Sequence, residues 1–232
     1  MRELESVVAA CAACEKQARD GVLVTVVDVK GPAHLTPGSR LLMSLAKRQQ
    51  NAPDVGKLWW WTESGSPVVR QFDADSDDDA VWDLRLGRDS VVRVILERLG
   101  SLNLKHELEF FNLCRAQHGV GAMATVISSG SPDVAVSGER WFLDPDGMEQ
   151  HDIHDLMVLD RVQAEADSAL DAMRSRRITI PHFRGPVEVF IEVVGPAIPQ
   201  AGTFEFDGAP MEWLESDPEP GWSSAAQYRP AA

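Results

Sequence analysis

The chain is short of cysteine, short of cationic residues and without any long apolar run, and each shortage excludes a class of protein. Three cysteines in 232 residues are too few, and odd in number, for a disulfide framework. Lysine and arginine together number 22 against 36 acids, for a net charge of −14. Nucleic-acid binding needs clustered cations, and an anionic membrane surface repels such a chain. No apolar stretch approaches the roughly 20 residues that cross a bilayer. The opening Met1-Arg2-Glu3-Leu4-Glu5 is charged and unlike a signal peptide, so a cytoplasmic location is expected. A Gly-x-Ser-x-Gly elbow, a Walker loop and a His-Glu-x-x-His motif are also absent, which points away from an enzyme. What is present is ordinary globular stock, with 44% apolar and 25% charged residues, enough for one domain with a real core.

One block occurs twice. Cys14 to Gly31 reads as a helix end, Asp20-Gly21, the run Val24-Thr25-Val26-Val27 and a loop opening at Gly31. Cys114 to Gly130 repeats it with His118-Gly119 and Ala124-Thr125-Val126-Ile127. Each is answered downstream by an alternating strand ending in glutamate, at Glu97 and at Glu192. A period near a hundred residues is too long for a solenoid. It predicts a mixed α/β (α+β) domain of two pseudo-repeated halves sharing a mixed sheet, over residues 1–199. After Pro199 the chain loses periodicity and gains prolines at 210, 218, 220 and 230. Residues 200–232 therefore read as an irregular tail that tucks Phe204, Phe206 or Trp213 against the domain.

Leu4, Val7, Val8, Cys11 and Cys14 recur at helical spacing, as do Leu104, Leu108, Phe111 and Cys114. A long helix is expected over Asp155–Arg176, with arginines in its last turn. Val22–Val29, Ser39–Ser44 and Val68–Asp73 read as strands. Trp59-Trp60-Trp61 offers an exposed partner anchor or, as expected here, packs by strand alternation, with Trp60 facing one way and its neighbours the other.

Several clusters have a chemical and a plain reading. Cys11 and Cys14 have redox spacing but lie mid-helix, where no helix N-terminus stabilises a thiolate, so packing is expected. His151 and His154 form a metal half-site only if they share the following helix; otherwise Asp152 or His154 marks the helix start. The acids from Asp73 mimic a calcium loop but have Asp78 where glycine is needed and Leu84 where glutamate is needed. Gly119-Val120-Gly121 precedes its strand, the wrong side for a dinucleotide fingerprint. The loop from Gly31 to Arg40 is the best binding candidate. Its glycines allow close backbone approach, and Arg40 can grip a phosphate or carboxylate in a bidentate fork.

These blocks together resemble the N-terminal part of the xanthine dehydrogenase accessory protein family, XdhC/CoxI type, over about residues 3–199. The resemblance rests on Val24–Val27 leading to Gly31, on Pro37-Gly38-Ser39-Arg40-Leu41-Leu42, and on Asp78-Asp79-Ala80-Val81-Trp82 with Leu84 and Leu86-Gly87. It continues through Glu97, Ala124–Ile127 and Val189-Phe190-Ile191-Glu192. It implies an accessory or chaperone-type protein that helps load or sulfurate the molybdenum cofactor of xanthine-dehydrogenase-like or carbon-monoxide-dehydrogenase-like enzymes. The cofactor (molybdopterin) would bind transiently, at Gly31, Gly38, Arg40 and Gly87, with no metal expected. The implied partners are a molybdenum hydroxylase subunit, a nucleotide-binding subunit of the same family, or a second copy in a homodimer. The family's cysteine signatures are missing: there is no Gly-Gly dipeptide, and Arg88-Asp89-Ser90 follows Gly87. Two alternatives stand beside this reading: a relative that only binds protein, and a metal-dependent hydrolase using His151 and His154.

Overall fold

The computed structural model describes residues 2–17, 19–32, 35–45, 53–74, 89–195 and 203–206. In chain order these form α1 (Arg2–Lys16), β1 (Asp20–Lys30), β2 (Arg40–Leu45), α2 (Pro53–Trp61), β3 (Val68–Asp73) and β4 (Val91–Arg98). Then come α3 (Leu102–Ala116), β5 (Gly121–Ser129), β6 (Arg140–Leu143), β7 (Glu149–His151), α4 (Leu156–Asp171), β8 (Arg176–Ile180), β9 (Val187–Val194) and β10 (Thr203–Phe206).

The α+β class holds, but the halves do not share a sheet. Each builds its own five-stranded sheet, ordered β10-β2-β1-β4-β3 and β7-β6-β5-β9-β8. Each half supplies both neighbours of its central strand, so neither central strand pairs with the other half. All pairings are antiparallel except the parallel β10–β2 pair. The duplication extends to local detail. Thr25 pairs with Arg40 and Ile95, and Thr125 pairs with Arg140 and Phe190. A register shift falls after Val26 in one sheet and after Val126 in the other. The Gly38 N–H donates to the Val26 carbonyl and the Gly138 N–H to Val126.

Both central strands are buried on both faces, because each sheet is covered on both sides. Val22, Val24 and Val26 pack outward with Leu58 of α2 and Phe72. Ala122, Ala124 and Val126 pack outward with Val158, Val162 and Ala166 of α4. On the inner faces, α1 lies on Leu23 and Leu42, and α3 lies on Met123, Phe142 and Val194. Beyond the helices the sheets touch directly, Val27 and Ile95 against Ile127 and Phe190.

Two expectations fail locally. Trp59–Trp61 ends a helix, so successive rings point about 100° apart instead of alternating. Trp60 is 68% exposed, while the Arg98 and Arg70 guanidinium groups sit over Trp59 and Trp61. The long helix stops at Asp171, capped at its start by the Asp155 carboxylate on Val158 N–H, 3.0 Å. Met173 then turns the chain at φ +49°, and Arg176 and Arg177 belong to β8. Phe204 and Phe206 fall within β10. Trp213, the prolines from 210 onward and the acids from Asp75 to Asp79 lie outside the described residues.

Candidate functional site

A knot of five buried charges joins the two halves. Arg40 and Arg140 open β2 and β6, and Glu97 and Glu192 stand opposite Leu23 and Met123 on the central strands. The duplication makes the two arginines equivalent, and likewise the two glutamates, but their pairing is exchanged between halves. Arg40 grips Glu192 in a bidentate fork, Nη1–Oε1 2.8 Å and Nη2–Oε2 2.7 Å. Arg140 Nη2 donates to Glu97 Oε2. None of the four is more than 3% exposed.

Glu107 of α3 breaks the symmetry. It accepts from Arg40 Nε at 3.1 Å and lies 2.8 Å from Arg140 Nη2. The corresponding place in α1 holds Val7. Two cations therefore face three carboxylates. Burial pushes the Glu97 carboxyl up to about 7, against the pull of Arg140 and with the help of Glu107. Burial acts the same way on Glu107, but Arg140 and Arg40 outweigh it and hold that carboxyl below its ordinary value. Among the described residues Glu97 Oε1 accepts no hydrogen bond, and Glu107 Oε2 has only its charge contact with Arg140; each carboxyl biases the other, Glu107 raising Glu97 and Glu97 lowering Glu107. A proton carried by Glu97 makes the knot neutral, with two guanidiniums against two remaining carboxylates. Burial disfavours the charged guanidinium of each arginine, yet Glu192 and Glu107 hold Arg40 charged, and Glu97 and Glu107 hold Arg140 charged.

The binding loop expected from the sequence leads straight into this knot. Gly31 and Gly38 take positive φ, +86° and +93°. A Cβ on Gly31 would lie 2.3 Å from the Asp89 carbonyl oxygen. Arg40 has the bidentate geometry expected of it, with a carboxylate as partner. Its remaining N–H groups go to Gly38 O at 3.1 Å and to Glu107, and its guanidinium lies over Phe111. With no N–H left over, Arg40 as placed does not fit a molybdopterin phosphate. Gly87 lies outside the described residues.

The other candidates do not converge. Cys11 and Cys14 are buried in α1, and desolvation lifts the Cys11 thiol to about 12, well away from a reactive thiolate. His151 ends β7 and His154 sits in the turn before α4, so they do not share a helix. His154 bonds Glu139 at 2.8 Å, and His151 contacts Ile153 O. Among the described residues no group of three metal-ligating side chains forms. Arg140 and Glu107 escaped the sequence reading, though both left a signal. Arg140 repeats Arg40 a hundred residues on, and Glu107 sits on the apolar face of α3 between Leu104 and Phe111.

Comparison with solved structures finds the same fold in a xanthine dehydrogenase from Bacillus halodurans, at a TM-score of 0.51 and 14% identity. The match covers 82% of this chain and 52% of that one, so the chain spans about half its length. No protein-family model matches the chain, and no curated protein does. No described helix is long and apolar enough to cross a membrane.

Proposed function

We propose that this chain is an accessory protein in the maturation of a molybdenum-cofactor enzyme of the xanthine dehydrogenase or carbon monoxide dehydrogenase type, working by protein contact and not by thiol chemistry. The observation that carries this reading is the fold likeness to the Bacillus halodurans protein over 82% of the chain. The blocks of the XdhC/CoxI resemblance support it: apart from the block over 78–87, which lies outside the described residues, they correspond to β1, β2, β4, β5 and β9 and include three members of the buried knot. The buried cysteines and the fully engaged Arg40 favour cofactor contact that is transient and completed on the partner enzyme. The partner would be a molybdenum hydroxylase subunit, alone or with a nucleotide-binding subunit of the same family.

The test is co-expression of the full chain with a molybdenum hydroxylase large subunit, followed by affinity capture and metal analysis of that subunit. Association together with raised molybdenum content is the expected result. Association with unchanged content makes the chain a protein-binding module only. No association with any such subunit removes the accessory reading.

A further inference from the structure

We propose that a cleft of about 320 Å³ between α3 and the β6–β7 hairpin is a docking site for an extended, lysine- or arginine-bearing segment of a partner protein. His106, Glu109, Phe110 and Leu113 form one wall, at the i, i+3, i+4, i+7 spacing of a single helix face. Phe142, Asp144, Met148 and Gln150 contribute the other. The floor is apolar, with the rings of Phe110 and Phe142 5.3 Å apart. The mouth is apolar too: Leu113 is 44% and Met148 68% exposed, and a methionine at a rim adapts to varied side chains.

Charge and an open sheet edge choose the occupant. Glu109 and Asp144 line the cleft and, among the described residues, no lysine or arginine does. Glu149 also lines it, although its carboxylate is drawn to Trp141 Nε1 and Gln163. Asp144 Oδ1 already accepts from the Asp146 and Met148 N–H groups, which holds the carboxylate in place. β7 is the last strand of its sheet, paired only with β6 among the described residues. An extended peptide can add to such an edge by main-chain hydrogen bonds while alternate side chains enter the cleft. Apolar side chains suit the Phe110–Phe142 floor, and cationic ones suit Glu109 and Asp144. This inference does not rest on the accessory reading, because it needs only the cleft and the edge.

The probe is a fluorescein-labelled peptide of about ten alternating lysines and leucines, titrated with the full chain by anisotropy at low and moderate salt. Wild type should bind it, more weakly as salt rises. Glu109→Lys and Leu113→Asp, both exposed changes, should each weaken binding at least about tenfold. Leu156→Asp, on exposed α4, should leave it unchanged. Circular dichroism confirms that all three fold. Three results would overturn the proposal: no binding by wild type, equal binding of a peptide with glutamate in place of lysine, or losses no larger in the cleft variants than in Leu156→Asp.

Discussion

Replacing Glu97 by glutamine should remove a pH dependence from the stability of the protein. The carboxyl has an ordinary value of 4.5 and stands at about 7 in the fold. Between those values the folded state holds a proton that the unfolded state has released, so stability falls as pH rises from about 4.5 to about 7 and then levels off. A shift of that size corresponds to about 3 kcal/mol, and because Glu97 is 1% exposed solvent screens little of it. Glu107 is shifted the other way. Its stabilisation is complete above the ordinary carboxylate range and fades only at more acid pH, outside this window. Glutamine imitates the protonated carboxyl and can still accept from Arg140. Glu97→Gln should therefore lie within about 1 kcal/mol of wild type near pH 5 and be more stable by about 3 kcal/mol near pH 8. Urea unfolding followed by tryptophan fluorescence at pH 5, 6, 7 and 8 measures this directly. Exposed His154, whose value is raised, adds its own decline at higher pH equally to both proteins, so the difference between the curves isolates Glu97. Parallel curves would refute the protonated Glu97 and the neutral knot.

Four further outcomes are expected. Arg40→Met strands Glu192 and Glu107 in the interior and should cost about 3–5 kcal/mol, while Arg40→Met with Glu192→Met should recover part of it; equal losses would show that the fork is not coupled. Cys11→Ala with Cys14→Ala should cost about 2–3 kcal/mol of packing and leave any stimulation of a partner enzyme within a few-fold of wild type. In the native protein both thiols should resist a disulfide-exchange reagent until urea unfolds it, and rapid native labelling would contradict their burial. Gly31→Ala meets the Asp89 carbonyl and a positive φ and should lose about 2–3 kcal/mol in thermal unfolding, against a smaller loss of about 1 kcal/mol for Gly147→Ala, which shares the positive φ but has open space around it.

The elements that the sequence determined are those whose pattern is local. Helical spacing of Val7, Val8, Cys11 and Cys14 defined α1, and the apolar run from Val22 defined β1, because a period of 3.6 or 2 is set by neighbouring residues. The duplication was legible for the same reason: its two copies of helix, glycine and strand are contiguous, and they take matching places in the fold. Three adjacent tryptophans carry no usable period, so whether they formed a strand or a helix waited on the packing of Leu58 into the outer core. The number of sheets was likewise a tertiary matter, decided by which strands found the edges of β1 and β5. The knot shows the division most clearly. A loop arginine and a strand-ending glutamate were visible, but their partnership spans 152 positions and exists only once the halves close face to face. Burial then does what no local pattern records. It removes water from five charges, makes carboxylates and guanidiniums each other's main partners, and leaves one glutamate holding its proton near neutral pH.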